Sequence, residues 1–262
     1  MKANVLNLEG KTVGKVELPR VFNEKFRPDL IRRTVLALQS QRRQPYGTDP
    51  LAGSRSSAHF HGKRRKRHTM QMRDLARAPR IHTGPPHMYF RARKVPQAVK
   101  GRKAHPPKVE KVWTQKINKK ERKLALNSAI AATANKDVVK ERGHRVDLVE
   151  LPLVIDDNVQ SINKTKDVER LLSSLKLDDE LKRIRVRKVR PGKGKMRSRR
   201  YKTKKGPLII ISEDKGISKA CKNVPGIDVS LVKDVSVEDL APGTLPGRLT
   251  IWSKSCLEKL SG

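Results

Sequence analysis

The chain has 262 residues, 61 Lys and Arg against 26 Asp and Glu, and a formal net charge of +35. Its length suits one or two domains, and so large a positive charge points to a polyanionic partner. The longest apolar runs, 148–155 and 208–211, are far too short for a spanning helix and argue against a membrane protein.

The charge is unevenly placed. Residues 42–108 carry 18 Lys/Arg against two Asp/Glu, and residues 182–205 carry 14 cations and no acid, so 30 of the 35 net charges lie in these two segments. The remainder is close to neutral and long enough to bury a core. The start MKANVLNLEGKTVG lacks the apolar stretch and small-residue cleavage site of a secretory signal, so the expectation is an intracellular chain with Cys221 and Cys256 reduced.

In chain order, Val5, Leu6, Leu8, Val13 and Val16 around Gly10 and Gly14 predict a short strand pair. A helix follows from Pro28, with Leu30, Ile31, Thr34, Val35 and Leu38 on one face, and should stop near Gln44 before Pro45. Residues 42–108 hold eight prolines and five glycines with no sustained period, which predicts an arm without regular structure. Asn118 and Glu121 then resemble a capping box at the head of a helix running to Thr133. Val146–Ile155 reads as a buried strand that Pro152 ends or places at an edge.

Val168, Leu171, Leu172 and Leu175 give the next helix, and Asp178, Asp179 and Glu180 open another. Beyond the second basic segment come a strand at 208–212, a helix at 218–223, a strand at 227–232, a helical turn at 237–240, a strand at 249–252 and a terminal helical turn at 257–260. Strands alternating with helices imply an α/β fold: a three-layer α/β/α domain with a mostly parallel sheet. The domain spans residues 1–41 and 109–262, with the basic loop 182–205 in it and a long extended basic loop, 42–108, inserted between two helices.

The cations of the arm are Arg42, Arg43, Arg55, Lys63, Arg64, Arg65, Lys66, Arg67, Arg73, Arg77, Arg80, Arg91, Arg93, Lys94, Lys100, Arg102 and Lys103, with Lys108 at its end. Tyr46, Phe60, Tyr89 and Phe90, four of the nine aromatics in the chain, lie among them. Cations that follow a phosphate backbone and rings that stack on unpaired bases are what RNA binding requires. The bland alternative is a solvated tail, which would not need the aromatics. Ordering such an arm costs on the order of 1–2 kcal/mol per residue, more than its scattered apolar groups return, so it should order on its partner. At about 3.3 Å per residue, out and back, it reaches up to roughly 100 Å. In the second segment Arg190, Lys193, Lys195, Arg197, Arg199, Arg200 and Lys202 surround Tyr201, and Pro191, Gly192 and Gly194 forbid a continuous helix. The reading is a loop docking on RNA backbone.

Catalytic signals are weak. His59, His61, His68, His82, His87 and His105 cluster in the arm, but no metal-like Cys/His spacing accompanies them, so they read as phosphate or base contacts and no metal is expected. No glycine-rich phosphate loop is complete, and no cofactor is implied. The pairs Asp156/Asp157 and Asp178/Asp179 fit a turn and a helix start better than a Mg²⁺ site. An RNA-modifying enzyme therefore lacks its machinery; a chromatin-like DNA binder is not excluded by charge alone.

The runs RRQPYGTDPLAGSRSS (42–57), RKVPQAVKGRKAHPPKVEK (93–111), LPLVIDD (151–157), RPGKGKMRSRRYKTKKGPLII (190–210) and PGRLTIWSKSCLEKL (246–260) resemble the large-subunit ribosomal protein L four family in its archaeal form. The resemblance covers nearly the whole chain. It implies a non-enzymatic, cytoplasmic constituent of the large ribosomal subunit that binds ribosomal RNA, supports assembly and is not a homo-oligomer. It further implies that the loop tip, with a protein of the L twenty-two family, lines the nascent-peptide exit tunnel. By order along the loop that role falls near Arg64, Arg65, Lys66, Arg67, Met70, Arg73, Arg77 and Arg80, although MQMRDLARAPR here is poorer in glycine than the family's usual tip.

Overall fold

The structure, a computed structural model, describes residues 1–66, 69–71 and 73–261, the side chain of Ser261 excepted. The chain divides into two compact units, residues 1–42 with 114–262, and residues 43–113.

The larger unit is built on a six-stranded sheet of mixed α/β order. Its strands are β1 (Lys2–Leu6), β2 (Thr12–Glu17), β3 (Leu153–Ile155), β6 (Leu208–Ile211), β7 (Asp228–Leu231) and β8 (Thr250–Ser253), arranged β2-β1-β3-β8-β6-β7. Only β1 and β2 pair antiparallel; every other pairing is parallel, with Val5 opposite Val154, Leu153 opposite Ile251 and Ile209 also opposite Ile251. The β1–β2 turn is fixed by Asn7, whose Oδ1 accepts from the backbone N–H of Glu9 and Lys11 at 3.0 and 2.8 Å. Gly10 sits there at φ +80°, where a Cβ would lie 2.4 Å from the Ser174 carbonyl oxygen.

The three central strands are buried at every position, which is why they read as continuous apolar runs rather than alternating ones. Their side chains divide by parity. Leu153, Ile155, Ile209, Ile211 and Ile251 join one cluster with Val139 of α3 (Lys136–Glu141), Val168, Leu171 and Leu172 of α4 (Thr165–Ser174), Leu181 and Ile184 of α5 (Asp178–Arg185), and Ile217 of α6 (Ile217–Lys222). Val154, Leu208, Ile210 and Trp252 join a second, with Ile31 and Val35 of α1 (Pro28–Gln41), Ala125 and Ala129 of α2 (Lys119–Ala134), Leu240 of α7 (Val237–Leu240) and Leu257 of α8 (Lys254–Ser261). Small residues on α2 let it lie close to α1.

Some local expectations are corrected. The strand predicted over 146–155 begins only at Leu153, directly after Pro152, and lies inside the sheet between β1 and β8; the proline precedes the ladder, so its missing N–H costs no pairing. Helix α1 stops at Gln41, short of Gln44. The Asn118 side chain makes no capping bond, and Glu121 pairs with Arg33 of α1 at 3.2 Å. A complete capping box instead stands at Ser236 and Asp239, ahead of α7.

Trp252, 1% exposed, meets the ring of Phe22 edge-on at 5.4 Å, and its indole N–H is enclosed without a partner. Trp252→Ala should therefore destabilise the larger unit by about 3–5 kcal/mol in denaturant unfolding. Trp252→Phe keeps a ring and deletes the orphaned donor, and should cost less than about 1.5 kcal/mol.

Candidate nucleic-acid interface

Turns rather than strands order the 43–113 unit. His59 and Arg80 exchange backbone hydrogen bonds at 3.2 and 3.0 Å, Arg80 also bridges Ala92, and Phe90 N–H donates to the Ile81 carbonyl at 2.9 Å. Ala58, Met70, Ile81, His82 and Arg93 are buried between these segments. Five non-glycine residues, Arg65, Asp74, Phe90, Lys94 and Lys100, hold positive φ, a conformation that costs free energy and persists where surrounding contacts impose it.

Against this frame the expected contact residues separate. Arg42, which closes α1, and Arg43, Tyr46, Arg55, Phe60, Lys63, Arg64, Arg65, Lys66, Arg73, Arg77, Tyr89, Arg91, Lys100, Arg102 and Lys103 are exposed, and Phe90 and Lys94 are half-buried. Arg67 lies outside the described residues. Three expected contacts point inward. Arg80 donates to the carbonyls of Phe90 and Ala76 at 2.7 and 2.9 Å, buried Arg93 donates to the Val99 carbonyl, and Met70 is 3% exposed. These side chains hold the unit together.

Two of the rings, Trp113 and Phe90, already carry cations. Tyr46 stacks on Trp113 at 5.4 Å, with the Arg43 guanidinium 4.0 Å and the Lys111 ammonium 4.5 Å from the Trp113 ring. The Arg73 guanidinium lies 4.5 Å from the Phe90 ring. Such mixed stacks of ring and cation present flat faces that accept a base. Trp113 was not among the residues expected from sequence, because it stands past the end of the charged run.

The second basic segment is a hairpin. β4 (Lys188–Val189) pairs antiparallel with β5 (Tyr201–Lys202), and Arg190 N–H donates to the Arg200 carbonyl at 2.8 Å. Gly192 at φ +78° turns the chain, and the side chains of Lys193, Lys195, Arg197, Arg199, Arg200, Tyr201 and Lys202 are exposed; Arg190 is half-buried, its Nε donating to the Arg199 carbonyl at 3.1 Å. At the hairpin's base, Lys188, Lys202, Lys204 and Lys205 line a cavity with Arg142, His144 and Arg183. Burial, with the nearby Arg248 and Arg183 charges, pushes the Arg142 pKa down to about 10, so it remains a cation at neutral pH. Its Nη2 donates to the Pro242 carbonyl at 2.9 Å, while Nη1 is enclosed without a partner. Spacing along the chain gives no signal for Arg142.

One carboxylate anchors this corner. Glu180 is fully buried and accepts from Arg183 Nε and Nη2 at 2.7 and 2.6 Å, from His144 Nδ1 at 2.7 Å and from the Arg145 backbone at 3.2 Å. Burial alone would raise its pKa, but the Arg183 and His144 hydrogen bonds hold it at about 2. Burial lowers the His144 pKa despite Glu180, so the imidazole is neutral and donates. Arg183 Nη2 continues to the Lys205 carbonyl at 2.7 Å, tying α5 to the end of the hairpin.

The two acid pairs weighed as Mg²⁺ ligands are committed to structure. Asp157 accepts from Ser255 N–H and Oγ at 3.0 and 2.6 Å and from Gln160 at 3.0 Å, Asp156 from Asn158, Asp178 from Ser173, and Asp179 pairs with Lys182. Both cysteines are free and buried, and burial pushes the Cys221 and Cys256 thiols up to about 12 and about 11; neither is a poised nucleophile. No helix among the described residues is long and apolar enough to cross a membrane.

Residues 16–262 match the model of the ribosomal protein L4/L1 family. The chain belongs to this family. Over 261 residues it is 49% identical to the large ribosomal subunit protein uL4 of Archaeoglobus fulgidus, covering 99% of this chain and 98% of that one. The uL4 proteins of Methanosphaera stadtmanae and Nanoarchaeum equitans are 46% and 47% identical, each over 99% of this chain and over 96% and 97% of their own lengths. Family membership gives the two exposed basic surfaces a common context: both are features of a ribosomal protein.

Glu180→Gln would leave half-buried Arg183 opposite a neutral amide and should destabilise the larger unit by about 3 kcal/mol. Two pH windows follow from the signs. The lowered His144 pKa makes the unfolded chain bind the extra proton first, so stability falls as pH drops below the ordinary value of 6.5. The lowered Glu180 pKa removes more between 4.5 and about 2. Urea unfolding at stepped pH should show both losses, with the lower one reduced in Glu180→Gln and the remainder carried by Asp29, Asp147, Asp214 and Asp228, whose pKa values are also lowered.

Proposed function

We propose that this chain is a non-catalytic constituent of the large ribosomal subunit, cytoplasmic with it, which binds ribosomal RNA and supports subunit assembly. The observation that carries the reading is the outward display of many cations among few acids in two places, the 43–113 unit and the 188–202 hairpin, on a chain whose relatives are large-subunit proteins. The sheet with its two core clusters serves as a three-layer α/β/α body. The 43–113 unit acts as the inserted loop that reaches into folded RNA, where phosphates supply the counter-charge it lacks.

Within that loop the exposed residues Arg64, Arg65, Lys66, Arg73 and Arg77, with Arg67, are the side chains proposed to line the nascent-peptide exit tunnel beside a protein of the L twenty-two family. Met70 and Arg80, which point inward, support them from behind. At the hairpin base, the Arg142 cavity is suited to one RNA phosphate. A lone chain joins one ribosome, so a homo-oligomer has no place in this reading.

Two measurements test it. If about ten cations displace condensed counterions, the log–log salt slope of binding to large-subunit RNA should be roughly −7 to −9, and replacing Lys193, Lys195, Arg197 and Arg199 by Gln should reduce it by about 3. An unchanged slope would remove the hairpin from the interface. Deleting residues 55–92 should leave the larger unit's unfolding transition in place while incorporation into large subunits, read on a density gradient, falls; loss of that transition would contradict the division of labour.

A further inference from the structure

Three histidines that are scattered in sequence meet in the 43–113 unit. His59 and His61 lie on one stretch, anchored because Met70 N–H donates to the His61 carbonyl at 2.9 Å and His59 exchanges hydrogen bonds with Arg80. His82 arrives from the far side of the turn that Arg80 and Ile81 close. One ring nitrogen from each of His59, His61 and His82 lies within 4.8 Å of those of the other two, and the ring centroids are 4.1, 4.4 and 4.6 Å apart.

Two of the rings are held by backbone carbonyls. His59 Nδ1 is 2.9 Å from the Ser57 carbonyl oxygen, and His82 Nε2 is 3.1 Å from that of His59. A carbonyl only accepts, so those nitrogens carry the protons, and the lone pairs fall on Nε2 of His59 and Nδ1 of His82. An imidazole whose N–H is fixed by a carbonyl and whose other nitrogen is basic is the form in which histidine ligates a metal.

We propose that His59, His61 and His82 bind a divalent transition metal of the Zn²⁺ class, with a fourth position open to water or another oxygen ligand. Three neutral imidazoles suit Zn²⁺, Co²⁺ or Ni²⁺ and not Mg²⁺ or Ca²⁺, which want oxygen. Tetrahedral bonds of about 2.0–2.1 Å set ligand nitrogens roughly 3.3 Å apart. To reach that spacing exposed His59 and half-buried His61 must rotate around buried His82, with His61 turning out of its 14° stack on the His82 ring so that the two lone pairs converge. Bound there, the metal clips residues 59–61 to residue 82 and closes the loop carrying Lys63, Arg64, Arg65 and Lys66, so that a unit with few backbone ladders gains a cross-link. The chain's spacing conceals the site, because the pairing of Arg80 with His59 and not a short motif brings the third ligand in.

The test is a Co²⁺ titration of the untagged full-length chain, followed by Zn²⁺ displacement, at about 0.5 M salt to screen the surrounding cations. One equivalent should produce the visible ligand-field band of a tetrahedral site and be displaced by Zn²⁺. His59→Ala, an exposed position, and His82→Gln should each weaken binding by about tenfold or more, with folding checked by circular dichroism. His87→Ala and His105→Ala, exposed histidines outside the cluster, should leave it unchanged. No stoichiometric binding by the unsubstituted chain, or binding that survives both cluster substitutions, overturns the proposal.

Discussion

Like-charge repulsion is the constraint around which this molecule is arranged. Thirty of its 35 net charges lie in residues 42–108 and 182–205, and no acid inside the second segment and only two inside the first can offset them. Charges so concentrated raise the free energy of any compact state that must hold them together. The chain answers by keeping them off the sheet. The larger unit's core is near-neutral, and the basic side chains are carried on a separate unit and on a hairpin, where most of the described head groups reach solvent.

Where a cation is drawn inward, it is satisfied by fixed partners. Arg248, 1% exposed, donates to the carbonyls of Gly206, Pro207 and Asp239 and to the Asp228 carboxylate, linking β6, β7 and α7. Arg183 uses Glu180 and the Lys205 carbonyl in the same way. Arg80 and Arg93 do so with backbone carbonyls alone. Buried guanidinium groups thus replace the missing apolar content in places where loops meet, at the cost of a fixed geometry. The hairpin is held at its base by this chemistry and exposes the side chains of its tip, a division that suits the proposed phosphate contacts.

The 43–113 unit follows a related logic with fewer means. It has a handful of buried apolar residues, turns at positive φ, and rings stacked with cations. A metal at the three histidines would add a cross-link where hydrophobic burial is scarce, just as small domains elsewhere rely on metals or disulfides. It would also add two positive charges to that unit, since three neutral imidazoles offset none of the ion's charge.

Much of the larger unit was legible because buried parallel strands and amphipathic helices leave local patterns: Leu208–Ile211 is a continuous apolar run, and Val168, Leu171 and Leu172 recur at helical spacing. The exposed cations of the interface were legible for the same reason, since charge without neighbouring acid has nowhere to go but solvent or a partner. Other features were not. Glu180 looks like one more acid at a helix start, yet it is the buried hub for Arg183 and His144; Met70, Arg80 and Arg93 look like contact residues, yet they face inward; Trp113 and Arg142 carry no local signal at all. By itself, then, the sequence determined the fold class, the strand and helix order and the electrostatic character, because these depend on period and composition. The tertiary structure alone decided which cations are spent on carbonyls, and that His59, His61 and His82 share one point, because those outcomes depend on contacts between segments far apart in the chain.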